Sequence, residues 1–150
     1  MPLLDHLGRL VRTGGESVLA RLGLRARHLV ALTLLRDHGG EIAQQRLATA
    51  LQIDGTNLVG LLNHLEADGL VARRRSPEDR RRHVVELTDA GRRRLAEAEA
   101  ALGELEDELL GPLDDAERET LYRLLRKTTD GQVDCTTVVE PAAGADDDVC

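Results

Sequence analysis

The sequence predicts a mainly α-helical chain with a small β-hairpin, an α+β fold. Leucines recur at steps of three and four residues in several long segments, which places them on one face of a helix. One short stretch instead joins β-branched residues to a Ser-Pro turn, a pattern typical of a hairpin. The length of 150 residues suggests one domain, or one domain with a short appendage, large enough to bury a core.

Two helices are predicted at the start of the chain. The first carries a leucine stripe from Leu3 to Leu10 but contains the pair Gly14-Gly15. Two adjacent glycines cost about 2 kcal/mol relative to alanine in a helix interior, so we expect a kink or local softness there. The second helix runs from Arg25 to Asp37, and Gly39-Gly40 ends it.

Two shorter helices then meet at a tight turn. The first runs from Gln44 to Leu51 and the second from Thr56 to Asp68, with Asp54 between them as the candidate N-cap. Gly69 closes the second helix as a left-handed cap. Two short helices joined in this way are typical of a helix-turn-helix.

A hairpin is predicted directly after these helices. Val71 to Arg75 predicts a strand, Ser76 to Asp79 a turn, and Arg82 to Leu87 a returning strand that contains adjacent valines. A hairpin in this position is a wing. The predicted architecture is therefore a winged helix-turn-helix.

Two more helices complete the predicted fold. Thr88 caps a long helix whose apolar residues from Leu95 to Leu109 alternate steps of three and four, as in a helix packed along another helix of its own chain or of a partner. Pro112 ends it, and Asp114 with Glu117 forms a capping box for the last helix. That helix is expected to turn three leucines inward: Leu121, Leu124 and Leu125.

The charge of the chain is distributed unevenly. Twenty basic against 27 acidic residues give a net charge of -7, which taken alone argues against nucleic acid. However, residues 130–150 hold six acids and no base, so residues 1–129 carry only -1. Within that body, Arg73 to Arg94 contains nine arginines and four acids. Such a basic patch is typical of phosphate contact, with a solvated arginine-rich face as the alternative.

The composition also excludes several classes of protein. A single Tyr, with no Trp or Phe, excludes modules that stack unpaired bases on aromatic rings. Cys135 and Cys150 alone cannot build a zinc ribbon or a disulfide scaffold. No apolar run of about 18 residues or signal-peptide core occurs, so we expect a soluble cytoplasmic protein with no membrane partner. No catalytic constellation, phosphate loop or metal-ligand cluster occurs, so the sequence predicts no enzyme, cofactor or metal site.

Three linked motifs resemble those of a known family. Gln44-Gln45-Arg46-Leu47-Ala48 resembles the start of its first DNA-binding helix, and Leu65 to Arg73 resembles its "LE..GLV.R" exit from the recognition helix. Asp79-Arg80-Arg81, followed by Val85 to Gly91, resembles its "DRR…LT..G" wing. The family is MarR, the multiple-antibiotic-resistance type of winged-helix transcriptional regulator, and the resemblance covers Leu3 to Lys127.

The resemblance, together with the composition of the C-terminal residues, predicts four regions. Residues 1–38 are N-terminal helices for dimerisation and a possible ligand pocket, residues 39–91 the winged helix-turn-helix lobe, residues 92–129 C-terminal dimerisation helices, and residues 130–150 an acidic tail that we expect to be disordered. The expected dimerisation residues are leucines of the first helix and of the last two helices: Leu3, Leu7, Leu10, Leu102, Leu105, Leu109, Leu121 and Leu124.

The expected DNA contacts lie on the second helix of the pair and on the wing. A recognition helix enters the major groove with outward side chains of its N-terminal half. Thr56 and Asn57 are expected to donate to bases or phosphates, Val59 to touch a thymine methyl, Asn63 to bind adenine by two hydrogen bonds, and His64 to donate to phosphate or guanine. Gln44, on the preceding helix, completes the contacts expected from the two helices. Simple exposure to solvent is the alternative for each.

Arginines supply the remaining expected contacts. Arg80 and Arg81 lie at the turn, where the family places an arginine in the narrow minor groove; Arg81 has pairing with Asp79 as an alternative. The expected phosphate contacts are Arg73, Arg74 and Arg75. Arg82 is a further expected DNA-binding residue. Relatives carry a basic residue where Gly60 stands, so the recognition helix is less charged than usual for the family.

An effector pocket is implied between the first helices and the DNA-binding lobe. The candidates to hold an anionic or phenolic ligand are His6, Arg9, Arg12 and His28, with surface or dimer contacts as the alternative for each. Redox sensing fits poorly because no cysteine lies near the first helix.

Taken together, the motifs and the family resemblance imply a sequence-specific regulator, a repressor, that binds double-stranded DNA as a homodimer on a pseudo-palindromic operator, with release by a small molecule. Two rival hypotheses are a winged-helix module that binds an acidic protein partner and a binding protein that has lost DNA recognition, for which Gly60 is the hint.

Overall fold

The computed structural model describes residues 2–76 and 82–129 and confirms a mainly helical chain with a small antiparallel sheet. Within those residues, no helix is both long enough and apolar enough to cross a membrane. The described elements, in chain order, are α1 (Pro2–Arg21), α2 (Ala26–Asp37), β1 (Glu41–Ala43), α3 (Gln44–Ala50), α4 (Gly55–Ala67), β2 (Val71–Arg75), β3 (His83–Leu87), α5 (Asp89–Leu109) and α6 (Asp115–Thr129).

The first helix is continuous, and the kink expected at Gly14-Gly15 was wrong. α1 runs from Pro2 to Arg21 without a break. A Cβ added at Gly14 would lie 2.9 Å from a methyl carbon of Leu105, and one at Gly15 would lie 3.7 Å from Leu102. The two glycines therefore let α5 pack closely against α1, and this contact accounts for residues that would otherwise weaken a helix.

The sheet contains one strand more than the predicted wing. β3 pairs with both β1 and β2, all antiparallel, in the order β1-β3-β2. Ile42 faces Val85 in one ladder, and Val71 faces Leu87 in the other. All four side chains are buried, so these residues attach the hairpin to the hydrophobic core. The returning strand begins at His83, one residue later than predicted.

The core lies where the helix-turn-helix meets α2 and the sheet. The inward face predicted for α4 is confirmed, because Leu58, Leu61, Leu62 and Leu65 are all buried. They pack with fully buried leucines of α2, α3 and α5: Leu32, Leu35, Leu47 and Leu95. Each such side chain contributes about 1.5–3 kcal/mol by leaving water.

The predicted caps form as expected. Gly69 adopts a φ of 68°, and the amide of Leu70 donates to the carbonyl of Leu65 at 2.9 Å, which closes α4. The hydroxyl of Thr88 accepts from the amide of Gly91 at 3.0 Å. At the start of α6, each backbone amide of Asp114 and Glu117 donates to the other residue's carboxylate, at 3.0 and 2.9 Å.

The last helix stands apart from the core. None of its residues is buried, and Leu124 and Leu125 are 54% and 40% exposed. The expectation that they turn inward within the chain was therefore wrong. An ion pair of 2.7 Å between Arg118 and Asp107 links the start of α6 to α5, but the described part of the chain leaves Leu124 and Leu125 exposed. The acidic tail lies outside the described residues.

Candidate nucleic-acid interface

The N-terminus of α4 is held by a side-chain cap. Asp54 accepts from the backbone amide of Asn57 at 2.9 Å, as the sequence predicted for an N-cap. The side-chain amide of Asn57 also donates to the other carboxylate oxygen of Asp54, at 2.5 Å. These two hydrogen bonds hold the pKa of Asp54 below its ordinary value. Asn57 is thus held by the cap while its side chain remains exposed.

The outward face of α4 is polar and open. The predicted contacts Thr56, Val59, Asn63 and His64 are all exposed. Apart from the backbone of α4 itself, no atom of the described residues lies within 4 Å of the position where a Cβ of Gly60 would stand, so no side chain covers this part of the face. Gln44, at the first position of α3, is partly exposed.

Arg73 is tied to the recognition helix. Its guanidinium donates to one carboxylate oxygen of Glu66 through Nε at 3.0 Å and Nη2 at 2.5 Å, while its backbone amide donates to the other oxygen at 3.2 Å. The same Nη2 also donates to the side-chain oxygen of Asn63 at 2.7 Å. The contacts with Arg73 lower the pKa of Glu66. Arg73 therefore braces β2 against α4.

The other wing arginines differ in their contacts. Arg74 forms ion pairs with Glu41 and with Glu86, the latter at 3.1 Å, and so links all three strands on their exposed face. Arg75 and Arg82 are exposed at the outer end of the hairpin. Arg80 and Arg81 lie outside the described residues.

A cavity of about 600 Å³ lies between α1, α2 and α4. Its lining includes Arg25, His28, Thr56, Asn57 and His64, so three of the predicted DNA contacts and one predicted ligand residue meet there. Sequence reasoning missed Arg25 as a lining residue, because only the packing of α2 against α4 places it beside the recognition helix.

The other predicted ligand residues lie away from this cavity. His6, Arg9 and Arg12 are exposed on the first half of α1, whereas α1 lines the cavity with Glu16 and Ala20. Arg9 forms an ion pair of 3.2 Å with Asp5 on its own helix. Of the four candidates, the structure brings only His28 to the cavity.

His28 is a buried polar group with an unsatisfied atom. Its side chain is 8% exposed, and its Nδ1 has no hydrogen-bond partner among the described residues. The ring centroid lies 6.2 Å from that of His64. Burial lowers the pKa of His28, and the charges of Arg25 and His64 lower it further, whereas Asp68 acts in the opposite direction. The neutral imidazole is therefore the favoured form in the folded chain.

This pKa shift predicts that acid destabilises the fold. As the pH falls below about 6.5, the unfolded chain binds a proton at His28 more readily than the folded chain, so stability is lost until the pH passes the folded-state pKa. The substitution His28→Gln should flatten this part of a profile of melting temperature between pH 7.5 and 5.5. The control His6→Gln, at an exposed position of α1, should keep the wild-type profile. Equal profiles for wild type and His28→Gln would contradict the prediction.

The helix-turn-helix, the hairpin beside it and the flanking helices define a winged-helix protein. The family model of MarR matches residues 24–83. An uncharacterised HTH-type transcriptional regulator of Bacillus subtilis, YdgJ, is 36% identical over 125 residues, which span 83% of this chain and 76% of that protein. The chain belongs to the MarR family.

Two further relatives link the family to regulation and to DNA. A Thauera aromatica protein, whose name assigns it to regulation of the hcr operon, is 38% identical over 86 residues, which span 57% of this chain and 52% of that relative. A MarR point mutant from Escherichia coli has been solved in complex with operator DNA. Its sequence is 26% identical to this chain, and the two structures superimpose with a TM-score of 0.66. The match covers 85% of this chain and 91% of that one. The names of the two sequence relatives describe them as transcriptional regulators, in agreement with the prediction that the chain is not an enzyme.

Proposed function

We propose that the chain is a sequence-specific transcriptional repressor that binds a pseudo-palindromic operator as a homodimer. The observation that carries this function is the open polar face of α4 beside a basic hairpin, in the fold of a protein solved with operator DNA. α4 presents its side chains to the major groove, and the hairpin presents arginines to the backbone and minor groove.

A homodimer is supported by the apolar surface that one chain leaves uncovered. Leu3, Leu4 and Leu10 of α1 are between 44% and 83% exposed, and Leu124 and Leu125 of α6 add a second exposed group. Leucines in such numbers on two terminal helices are unfavourable in water unless a partner covers them. Two copies joined there would present two α4 helices to the two half-sites of a palindrome.

Arg80 offers a test of the wing. We expect Arg80→Ala to weaken binding similarly across DNA sequences and to reduce the slope of log affinity against log salt by about 1, because one phosphate-neutralising charge is lost. The measurement is a salt titration of binding to a DNA fragment from upstream of the protein's own gene.

The control is Arg21→Ala, which removes the same charge from an exposed position at the end of α1. It should keep the wild-type slope. An affinity and slope unchanged by Arg80→Ala would contradict a role for this residue in the wing. Footprinting of the same fragment should give a protected palindrome, and the absence of protection would favour a protein-interaction module.

We also propose that an organic anion, such as a phenolic acid, occupies the cavity beside α4 and weakens operator binding. Arg25 and His28 supply donors for a carboxylate or phenolate, and the apolar lining includes Leu24, Ile53 and Leu61. Since Thr56 and Asn57 line the same cavity, an occupant would contact the N-terminus of the recognition helix.

Thermal shift with phenolic acids tests this site. We expect the ligand to raise the melting temperature of the wild type, and Arg25→Ala to remove most of that rise. Arg12→Ala, outside the cavity, should leave the rise intact. Loss of the rise in Arg12→Ala but not in Arg25→Ala would place the ligand elsewhere, and no rise with any phenolic acid would count against an effector of this class.

A further inference from the structure

The side-chain amide of Asn63 is held in one orientation. Nη2 of Arg73 lies 2.7 Å from the amide atom that faces it. Because a guanidinium can only donate hydrogen bonds, that atom must be the carbonyl oxygen Oδ1. The amino group of Asn63 then points away from Arg73, on the exposed side of α4.

Arg73 cannot easily turn away from this position. Two of its guanidinium nitrogens and its backbone amide are bound to the carboxylate of Glu66, and its side chain is only 24% exposed. A guanidinium that is hydrogen-bonded through two nitrogens, in a residue whose backbone amide binds the same carboxylate, has little freedom to move. The ion pair between Arg73 and Glu66, which joins β2 to α4, therefore fixes the orientation of the Asn63 side chain.

This orientation changes what Asn63 offers to a base. The amino group has two N–H donors, and no described residue accepts from it. Arg73 already occupies one of the two lone pairs of the oxygen, so the amino group is the more available of the two for contact with a base. Recognition of adenine by asparagine requires the oxygen to accept from the adenine amino group while the amide donates to N7. Guanine instead presents two acceptors, N7 and O6, on the same edge.

We propose that Asn63 acts as a donor-only contact that selects guanine over adenine at one base pair of each operator half-site, with Arg73 as its positioning residue. The inference rests on the proposed function of operator binding. It replaces the adenine contact that the sequence alone suggested for Asn63.

Selection of binding sites from a library of random duplex DNA tests this assignment. The wild type should enrich guanine at one symmetric pair of positions, with discrimination against adenine of about tenfold. Asn63→Asp keeps an acceptor for Arg73 but has no donor, so this guanine preference should disappear while the other selected positions remain. An aspartate there still pairs with Arg73, so folding should be retained.

Arg73→Met tests the positioning role by a change of base preference rather than of affinity. The freed amide should bind adenine at the same pair of positions, so the guanine preference should fall or reverse. Arg75→Met, which removes an exposed arginine two residues further along β2, should lower affinity but leave base preference unchanged.

Three results would overturn the assignment. Asn63→Asp selecting the wild-type base at every position would show that Asn63 makes no specific contact, and adenine at the responsive position in the wild type would show that the oxygen is free. If the Arg73→Met variant selected the same bases as the wild type, Arg73 would not be the residue that positions Asn63. A wild-type protein that enriches no sequence would instead overturn the proposed operator binding itself.

Discussion

Replacing Gly91 by alanine should destabilise the protein by about 3 kcal/mol and lower its melting temperature by about 9 °C. Gly91 is buried in the first turn of α5. A Cβ there would lie 2.1 Å from the carbonyl oxygen of Leu70 and 2.7 Å from a methyl carbon of Leu87. That carbonyl also accepts from the backbone amide of Thr88 at 3.1 Å, so the backbone cannot move aside without breaking the junction between α4, the hairpin and α5.

The same helix provides a matched control. Apart from the backbone of α5 itself, no described atom lies within 4 Å of a Cβ added at Gly103, so Gly103→Ala should raise stability by about 1 kcal/mol through helix propensity alone. The measurement is thermal and urea unfolding of both variants beside the wild type. Opposite signs are expected for the two substitutions. A stabilising Gly91→Ala would mean that α5 does not pack against Leu70 as described.

The parts of the fold that the sequence predicted well are those determined by near neighbours in the chain. The cap of α4 by Asp54 and the left-handed turn at Gly69 each depend on residues within a few positions. The leucine spacing of α4 likewise defines its buried face without reference to the rest of the chain. Local hydrogen bonds and the spacing of apolar residues therefore determine most of the secondary structure.

Long-range contacts explain what the sequence could not show. β1 has only three residues, Glu41–Ala43, and exists because it pairs with β3 more than 40 residues later. The pair Gly14-Gly15 weakens a helix in isolation, and only its contact with α5 shows why glycine is present. Neither fact follows from propensity or periodicity.

The candidate site also has parts that local sequence patterns predict and parts that depend on long-range contacts. The exposed face of α4 and the basic hairpin were predicted from local patterns, whereas the pairing of Arg73 with Glu66 and Asn63 depends on how β2 folds back on the helix. The cavity beside α4 likewise requires α1 and α2 to meet the recognition helix. The roles of these residues toward DNA and ligand remain predictions.

The exposed leucines of α6 give the second large expected effect. Replacing Leu124 and Leu125 together by lysine should convert a dimer into a monomer, because each lysine would have to be buried in an apolar interface. Both leucines are 40% exposed or more within one chain, so the fold of that chain should be little affected. Operator affinity should fall about 100-fold or more, since a monomer loses the gain from holding two half-sites at once.

Charge alone cannot account for such a loss. The double substitution raises the net charge by two, which should strengthen nonspecific attraction to DNA. Glu119→Lys raises it by the same amount at an exposed position on the opposite side of α6, and it should keep the dimer and bind the operator at least as tightly as the wild type. Sedimentation equilibrium gives the mass, and a binding titration at fixed salt gives the affinity. A double variant that stays dimeric would show that the dimer interface does not include Leu124 and Leu125. A monomeric variant with unchanged operator affinity would refute recognition of the operator by a dimer.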